Sequence, residues 1–232
     1  FTKKFMLRAE LVYNQCGSKQ NYDSSGQSYY VIPTPDRSNQ KYVYEKGKRL
    51  LELDISNSYI SLPLTAAYQL TNKIEVYGGM SLNFLASPTA RGRVVFKSSS
   101  RPNDILFKQA LDYRYYQDEA GASSTFGTNS DLLRIRVDGN IVLLPKAVGA
   151  YYENDYRDGS KFNWFGVSAI SGVNYFINKG FYIGGRLEYG LTDITNKKLD
   201  FSLEKLNDNY TFIKRDDNDI QISIQASLGF RF

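Results

Sequence analysis

The sequence predicts an all-β protein, an antiparallel up-and-down transmembrane β-barrel of eight strands with long extracellular loops. Three observations predict it. First, from Ile220 to Phe232 every even residue is apolar (Ile220, Ile222, Ile224, Ala226, Leu228, Phe230, Phe232), while Gln221, Ser223, Gln225, Ser227, Gly229 and Arg231 fill the odd positions. That period of two makes a strand with one oily and one wet face. Thirteen residues at ~3.3 Å each, tilted by roughly 40°, cover the apolar band of a bilayer. Second, the chain is 15% aromatic yet has a mean hydropathy of −0.42. It contains no apolar run long enough for a transmembrane helix, but a barrel needs lipid-facing residues only at alternate positions. Third, the connections between patterned segments alternate long and short, as periplasmic turns and extracellular loops do. Leu228, Phe230 and Phe232 form a C-terminal barrel signature, and the last strand is expected to close the barrel with its end on the periplasmic side.

From the start of the chain, Phe5 to Cys16 places Phe5, Leu7, Ala9, Leu11 and Tyr13 opposite Arg8, Glu10 and Asn14, which predicts the first strand. Gly17 to Lys48 has no sustained period and carries Pro33 and Pro35, so it reads as a long loop. Leu51 to Ile55 is apolar at odd positions, whereas Ile60 to Leu70 is apolar at even ones. This phase change across Asn57-Ser58 is either a β-bulge within one long strand or a turn between two. Pro63, which cannot donate to a ladder, counts against a regular central strand. Thr71-Asn72-Lys73 makes a tight turn into Ile74, Val76, Gly78, Met80, Leu82 and Phe84, completing a hairpin.

Residues 88–160 form the longest segment without a transmembrane pattern. Its strand-like pieces, Gly92 to Lys97, Leu132 to Val137 and Ile141 to Leu144, suggest a hairpin or small cap of its own. Phe165 to Ile177 and Phe181 to Leu191 then alternate on either side of Asn178-Lys179-Gly180, where Gly is expected to supply positive φ. Thr195 to Asn218 is a polar loop leading to the last strand. Six strands of membrane length emerge, against eight in the smallest bacterial barrels. The missing pair is expected before Phe1 or, failing that, within residues 88–160; the chain as a whole, 1–232, reads as one domain.

Composition excludes several functions. Net charge is +5 with a pI of about 9.0, but residues 88–160 hold ten Lys/Arg against nine Asp/Glu and residues 195–218 hold five against five. Interleaved charge of this kind is a solvated surface, so no nucleic-acid partner is expected. The chain has no His, which removes Ser-His triads, His general bases and most zinc or iron sites. The lone Cys16 excludes an internal disulfide and reads as a small residue near a strand end. Asp216, Asp217 and Asp219 read as a solvated turn beside Lys214 and Arg215 rather than a calcium site. Gly78-Gly79 and Gly184-Gly185 read as room for curvature and close packing rather than a phosphate loop. No enzyme activity, cofactor or metal is therefore expected.

Arg8, Glu10, Glu75, Arg186, Glu188 and Arg231 all fall on polar faces, three of each sign. Eight strands leave an interior just wide enough for side chains to fill, and unpaired charges there are costly. These six are thus expected to form a mutually paired structural network; in a barrel of ten or more strands they would line a narrow pore. Tyr68, Tyr175, Phe181, Phe230 and Phe232 would form one aromatic belt, and Tyr13, Tyr59, Phe84, Trp164, Phe165 and Tyr189 the other.

Three stretches carry a family resemblance. YISLPLTAAYQLTNKIEVYGGMSLNFLAS (Tyr59 to Ser87), AELVYNQCGSK (Ala9 to Lys19) and NKGFYIGGRLEYGLTDI (Asn178 to Ile194) resemble the strand motifs of the Bacteroidetes outer-membrane β-barrel family, the PorT-like small barrels, with Leu187 and Asp193 as departures. The resemblance implies two further strands at the start of the barrel, accommodates Pro63, and places the protein in the outer membrane of a Gram-negative bacterium. It also brings a link to protein secretion and gliding. The expected function is a non-enzymatic structural or interaction component, with an accessory place in an outer-membrane export or assembly machine as its finer form. The alternative is a small diffusion channel for small solutes. Expected partners are outer-membrane lipid and lipopolysaccharide, and other outer-membrane proteins or lipoproteins through residues 88–160.

Overall fold

The computed structural model describes residues 4–23, 28–31, 44–114, 132–137, 139–151, 159–206 and 212–231. Among these it is all β, with strands β1 (Phe5–Ala9), β2 (Val12–Asp23), β3 (Ser28–Val31), β4 (Tyr44–Gln69), β5 (Ile74–Ser98), β6 (Leu106–Arg114), β7 (Leu132–Val137), β8 (Asn140–Pro145), β9 (Ala147–Gly149), β10 (Phe165–Phe176), β11 (Phe181–Gly190), β12 (Phe201–Leu206), β13 (Phe212–Lys214) and β14 (Ile222–Phe230). The principal sheet runs β1-β4-β5-β10-β11-β14 with antiparallel neighbours, and β2 and β3 also pair with β4. The sheet curls until its two ends meet through side chains: Gln221, just before β14, donates from Nε2 to Cys16 Sγ of β2 at 2.8 Å, and Arg186 of β11 donates to Glu10, between β1 and β2, at 2.6 Å. Among the described residues, β1 has a ladder only to β4 and β14 only to β11, so no closed ring is formed.

Around this sheet the apolar rows face out. Ile222, Ile224, Leu228 and Phe230 on β14, Ile183 and Leu187 on β11, and Leu62 and Leu64 on β4 are all exposed, and Ile224 is 85% exposed. The polar rows face in: Ser61 and Thr65 of β4, Glu75, Ser81 and Asn83 of β5, Ser168 and Asn174 of β10 and Glu188 of β11 are buried. A water-soluble protein has the reverse arrangement.

At the end away from the short turns the polarity inverts. Leu51 and Leu53 of β4 and Val94 and Phe96 of β5 are buried, in one cluster with Phe107, Leu111, Leu144 and Val148, while Glu52, Asp54, Arg91, Arg93 and Lys97 are exposed on the outside. The two strands reach this inversion differently. β4 never changes which parity faces in; its sequence changes phase, so the inward odd positions carry Leu51, Leu53 and Ile55 above Asn57 and Ser61 and Thr65 below. β5 keeps its apolar residues at even positions throughout, and a bulge turns them inward: Ser58 pairs with Ser87 but Tyr59 with Leu85, leaving Ala86 extra. Of the two readings of the phase change at Asn57-Ser58, one long strand with a bulge is present rather than a turn, and the extra residue lies on the partner strand. Its 26 residues span ~85 Å at ~3.3 Å each, far more than the outward apolar band from Ile60 to Leu70 requires.

Several expectations change. Part of the Gly17 to Lys48 segment is strand, since β2 continues to Asp23, β3 adds Ser28–Val31, and β4 begins at Tyr44. Pairing to the extended β4 holds these polar residues through backbone bonds, without an apolar period to announce them. Residues 88–160 likewise begin as strand: Gly92 to Lys97 is the end of β5, paired to β6, while Leu132–Val137 and Ile141 to Leu144 make the β7–β8 hairpin. Gly139 supplies that turn's positive φ, 81°. The polar loop before the last strand contains the β12–β13 pair. Gly180 has no positive φ; instead Asn178 Oδ1 accepts from the backbone N–H groups of Gly180 (3.0 Å) and Phe181 (2.7 Å).

Pro63 sits inside β4, with its carbonyl accepting from Glu10 N–H at 3.0 Å. Its missing donor faces Glu10 at the break between β1 and β2, so the one ladder bond it cannot make falls where the partner strand is interrupted. Cys16 lies within β2 rather than near its end. Tyr59 leaves the outer aromatic belt: it is 6% exposed and packs into the upper core. The last strand is shorter than its sequence pattern, Ile222–Phe230, and Phe232 lies outside the described residues.

Candidate functional site

The inward polar rows of β1, β5, β10 and β11 meet near the short turns. Alternation alone delivers them there, because each strand presents every second residue to the interior. Glu75 is fully buried, and Arg8 and Asn174 both donate to its Oε1, at 2.7 and 2.8 Å; Arg231 donates to Oε2 at 3.3 Å. Arg186 donates to Glu10 Oε2 at 2.6 Å. The two arginines also lie over rings: Arg186 is 5.7 Å from the centroid of Tyr77 and Arg231 is 4.3 Å from that of Phe176. Glu188 differs from the other five. Its Oε1 accepts from Asn83 Nδ2 at 3.2 Å, and the same amide donates to Ser168 Oγ at 2.6 Å.

The structure thus brings Arg8, Glu75 and Arg231 into one triad and Arg186 and Glu10 into a pair, with Glu188 held by an amide. Sequence reading counted charges and so missed the neutral members, Asn83, Asn174, Ser81 and Ser168. Their signal was present: each sits on the inward parity of its strand, in step with Glu75 on β5 or Gly172 on β10. Gly172 completes the packing. A Cβ there would overlap the Tyr77 ring, which lies across the glycine and sends its hydroxyl toward Gly185 O at 3.4 Å.

A second feature lies beyond the bulge. A cavity of about 550 Å³ is walled on one side by the inward row of β4, from Arg49 through Leu51, Leu53 and Ile55 to Asn57. Opposite stand Lys161, Phe162, Leu199, Asp200, Arg215 and Asp219. Lys161 Nζ donates to Leu199 O at 2.7 Å and lies 5.5 Å over the Tyr151 ring, and burial pushes its ammonium below the usual lysine range. Thr195 Oγ1 donates to Asp219 at 2.7 Å, while Arg215 approaches Asp200 at 3.9 Å and also pairs with Asp217. The acids near Asp216 are therefore engaged by Arg215 and Thr195, and no cluster suited to a metal ion occurs among the described residues. Sequence reading did not find this cavity, because Arg49, Lys161 and Asp200 come from three segments with no shared spacing.

Comparison with known proteins places this geometry. The family described as the outer membrane protein beta-barrel domain matches residues 1–196. No curated protein and no solved structure matches significantly. An outward apolar surface, an inward polar network and a family match over most of the chain agree: this protein belongs to the outer membrane protein beta-barrel domain family and is located in the outer membrane.

Proposed function

We propose that this protein is a non-enzymatic barrel that works as a structural or interaction component of the outer membrane, presenting a rigid β extension at its outer face. The observation that carries this reading is the grip on Glu75 by Arg8, Arg231 and Asn174, which ties the charges of the interior to one another and so supports a structural network over a conduction pathway. The lack of any His supports the non-enzymatic reading. In this reading the short turns at Thr71 and Asn178 and the C-terminus face the periplasm and the β4–β5 extension faces outward, touching lipopolysaccharide at its base. The motif resemblance to PorT-like Bacteroidetes barrels supports a finer role as an accessory of an export or assembly machine, with a protein or lipoprotein partner on residues 88–160. Planar-bilayer recording tests the core of the reading: the purified protein is expected to show no discrete conductance steps, and reproducible steps would establish the channel alternative instead. Co-purification in mild detergent tests the accessory role, for which a stoichiometric partner is expected.

A further inference from the structure

The cavity beyond the bulge is lined differently from the charged and amide network beneath it. Its volume, about 550 Å³, lies within the range of small-molecule sites. Its β4 wall is an apolar stretch, Leu51-Leu53-Ile55, with a buried polar group at each end, Arg49 and Asn57, ~26 Å apart along the strand at ~3.3 Å per residue. Facing it are Phe162 and Leu199, and the amine of Lys161.

Two observations give the ligand its chemistry. The charged residues lining the cavity are Lys19, Arg49, Lys161 and Arg215 against Asp200 and Asp219, an excess of two positive charges, of which the exposed Lys19 lies 3.8 Å from Asp54. Both acids are already engaged, Asp219 by Thr195 and Asp200 by Arg215. Among the described residues the half-buried Lys161 amine donates to a neutral carbonyl and lies over a ring, while Asp200 and Asp219 act on its charge from beyond hydrogen-bond reach, so a carboxylate in direct contact would complete it. Independently, the buried Oδ1 of Asn57 lines the same cavity with no hydrogen-bond partner among the described residues, and it calls for an N–H or O–H donor.

We propose that this cavity binds a small apolar carboxylate carrying an amide N–H, the chemistry of an N-acylated apolar amino acid or the C-terminus of a short apolar peptide. The carboxylate answers Lys161, the N–H answers Asn57, and the apolar body lies along Leu51, Leu53 and Phe162. This goes beyond the structural role proposed above and does not depend on whether the barrel conducts.

The test uses the full chain in amphipol, with isothermal titration and saturation-transfer NMR. The probe is N-acetyl-phenylalanine, compared with its uncharged amide, N-acetyl-phenylalaninamide. Saturable binding of the acid, at least tenfold tighter than that of the amide, and at least tenfold weakening in Lys161→Met are expected. Absence of saturable binding, equal binding of acid and amide, or undiminished binding in Lys161→Met would each overturn the proposal. Because acid and amide are compared on the unaltered protein, the result stands even if Lys161→Met fails to fold.

Discussion

Tyr59 of β4 stands opposite Leu85 of β5, one residue beyond Ala86, the partner that the ladder above it would assign. That single step turns β5 over, so its even residues face out below the bulge and in above it. Deleting Ala86 removes the step. Either Val94 and Phe96 are driven out into water and Arg91 and Arg93 into the apolar core, or the lower strand is reversed. The deletion variant is expected to lose the heat-modifiable migration of a folded barrel on gels, while Ala86→Gly keeps it.

The same inversion predicts opposite outcomes for one substitution at two outward positions of β4. Leu64 is 53% exposed in the apolar belt, and Leu50, 37% exposed, stands among Glu52, Arg93 and other water-facing charges. Leu64→Arg is expected to cost about 2–4 kcal/mol in urea titrations of vesicle-inserted protein, the penalty of a cation facing the bilayer interior. Leu50→Arg is expected to stay within about 0.5 kcal/mol.

Glu75→Gln leaves Arg8 and Arg231 without their shared counter-charge. Losing one partner of a buried pair costs about 3–5 kcal/mol, and the partial exposure of both arginines reduces this to about 2–3 kcal/mol. The exposed Glu52–Arg93 pair, at 2.7 Å, is the control: Glu52→Gln is expected to leave the urea midpoint unchanged.

Gly172→Val places a branched side chain where the Tyr77 ring lies. A loss of about 1–3 kcal/mol is expected from the forced shift. Adding Tyr77→Ala to Gly172→Val is expected to return part of it, since the clash partner is then absent.

Lys161 gives the outer extension a pH dependence. Burial lowers its folded pKa below the ordinary lysine value, so between the two values the unfolded chain binds the extra proton. Stability therefore rises with pH through that window and levels off above the ordinary value. Urea unfolding followed by the single tryptophan, Trp164, is expected to show this rise, and Lys161→Met to flatten it.

Much of this architecture is legible in the sequence because a period of two is a local signal. The outward rows of β10, β11 and β14 and the inward Arg8, Glu75 and Arg231 follow from parity alone. What escaped local reading depends on a partner strand. The phase change at Asn57-Ser58 is visible, but that β4 stays regular and β5 carries the bulge is known only once Ser58 and Ser87 are paired. β2 beyond Gly17 is polar because its ladder to β4 does the holding, and the cavity residues Arg49 and Lys161 meet only through the fold.

One strand, β4, passes from a region whose oily residues point inward to one where they point outward. The first needs only water to condense, and it gathers Phe96, Phe107 and Leu144 into a nucleus of ordinary kind. The second, from Ile60 onward, gains nothing by folding until lipid receives it. The expected consequence is an order of assembly in which the extension sets the β4–β5 register first and insertion completes the hairpin, so that pulse-labelling exchange would protect Phe96 before Leu64.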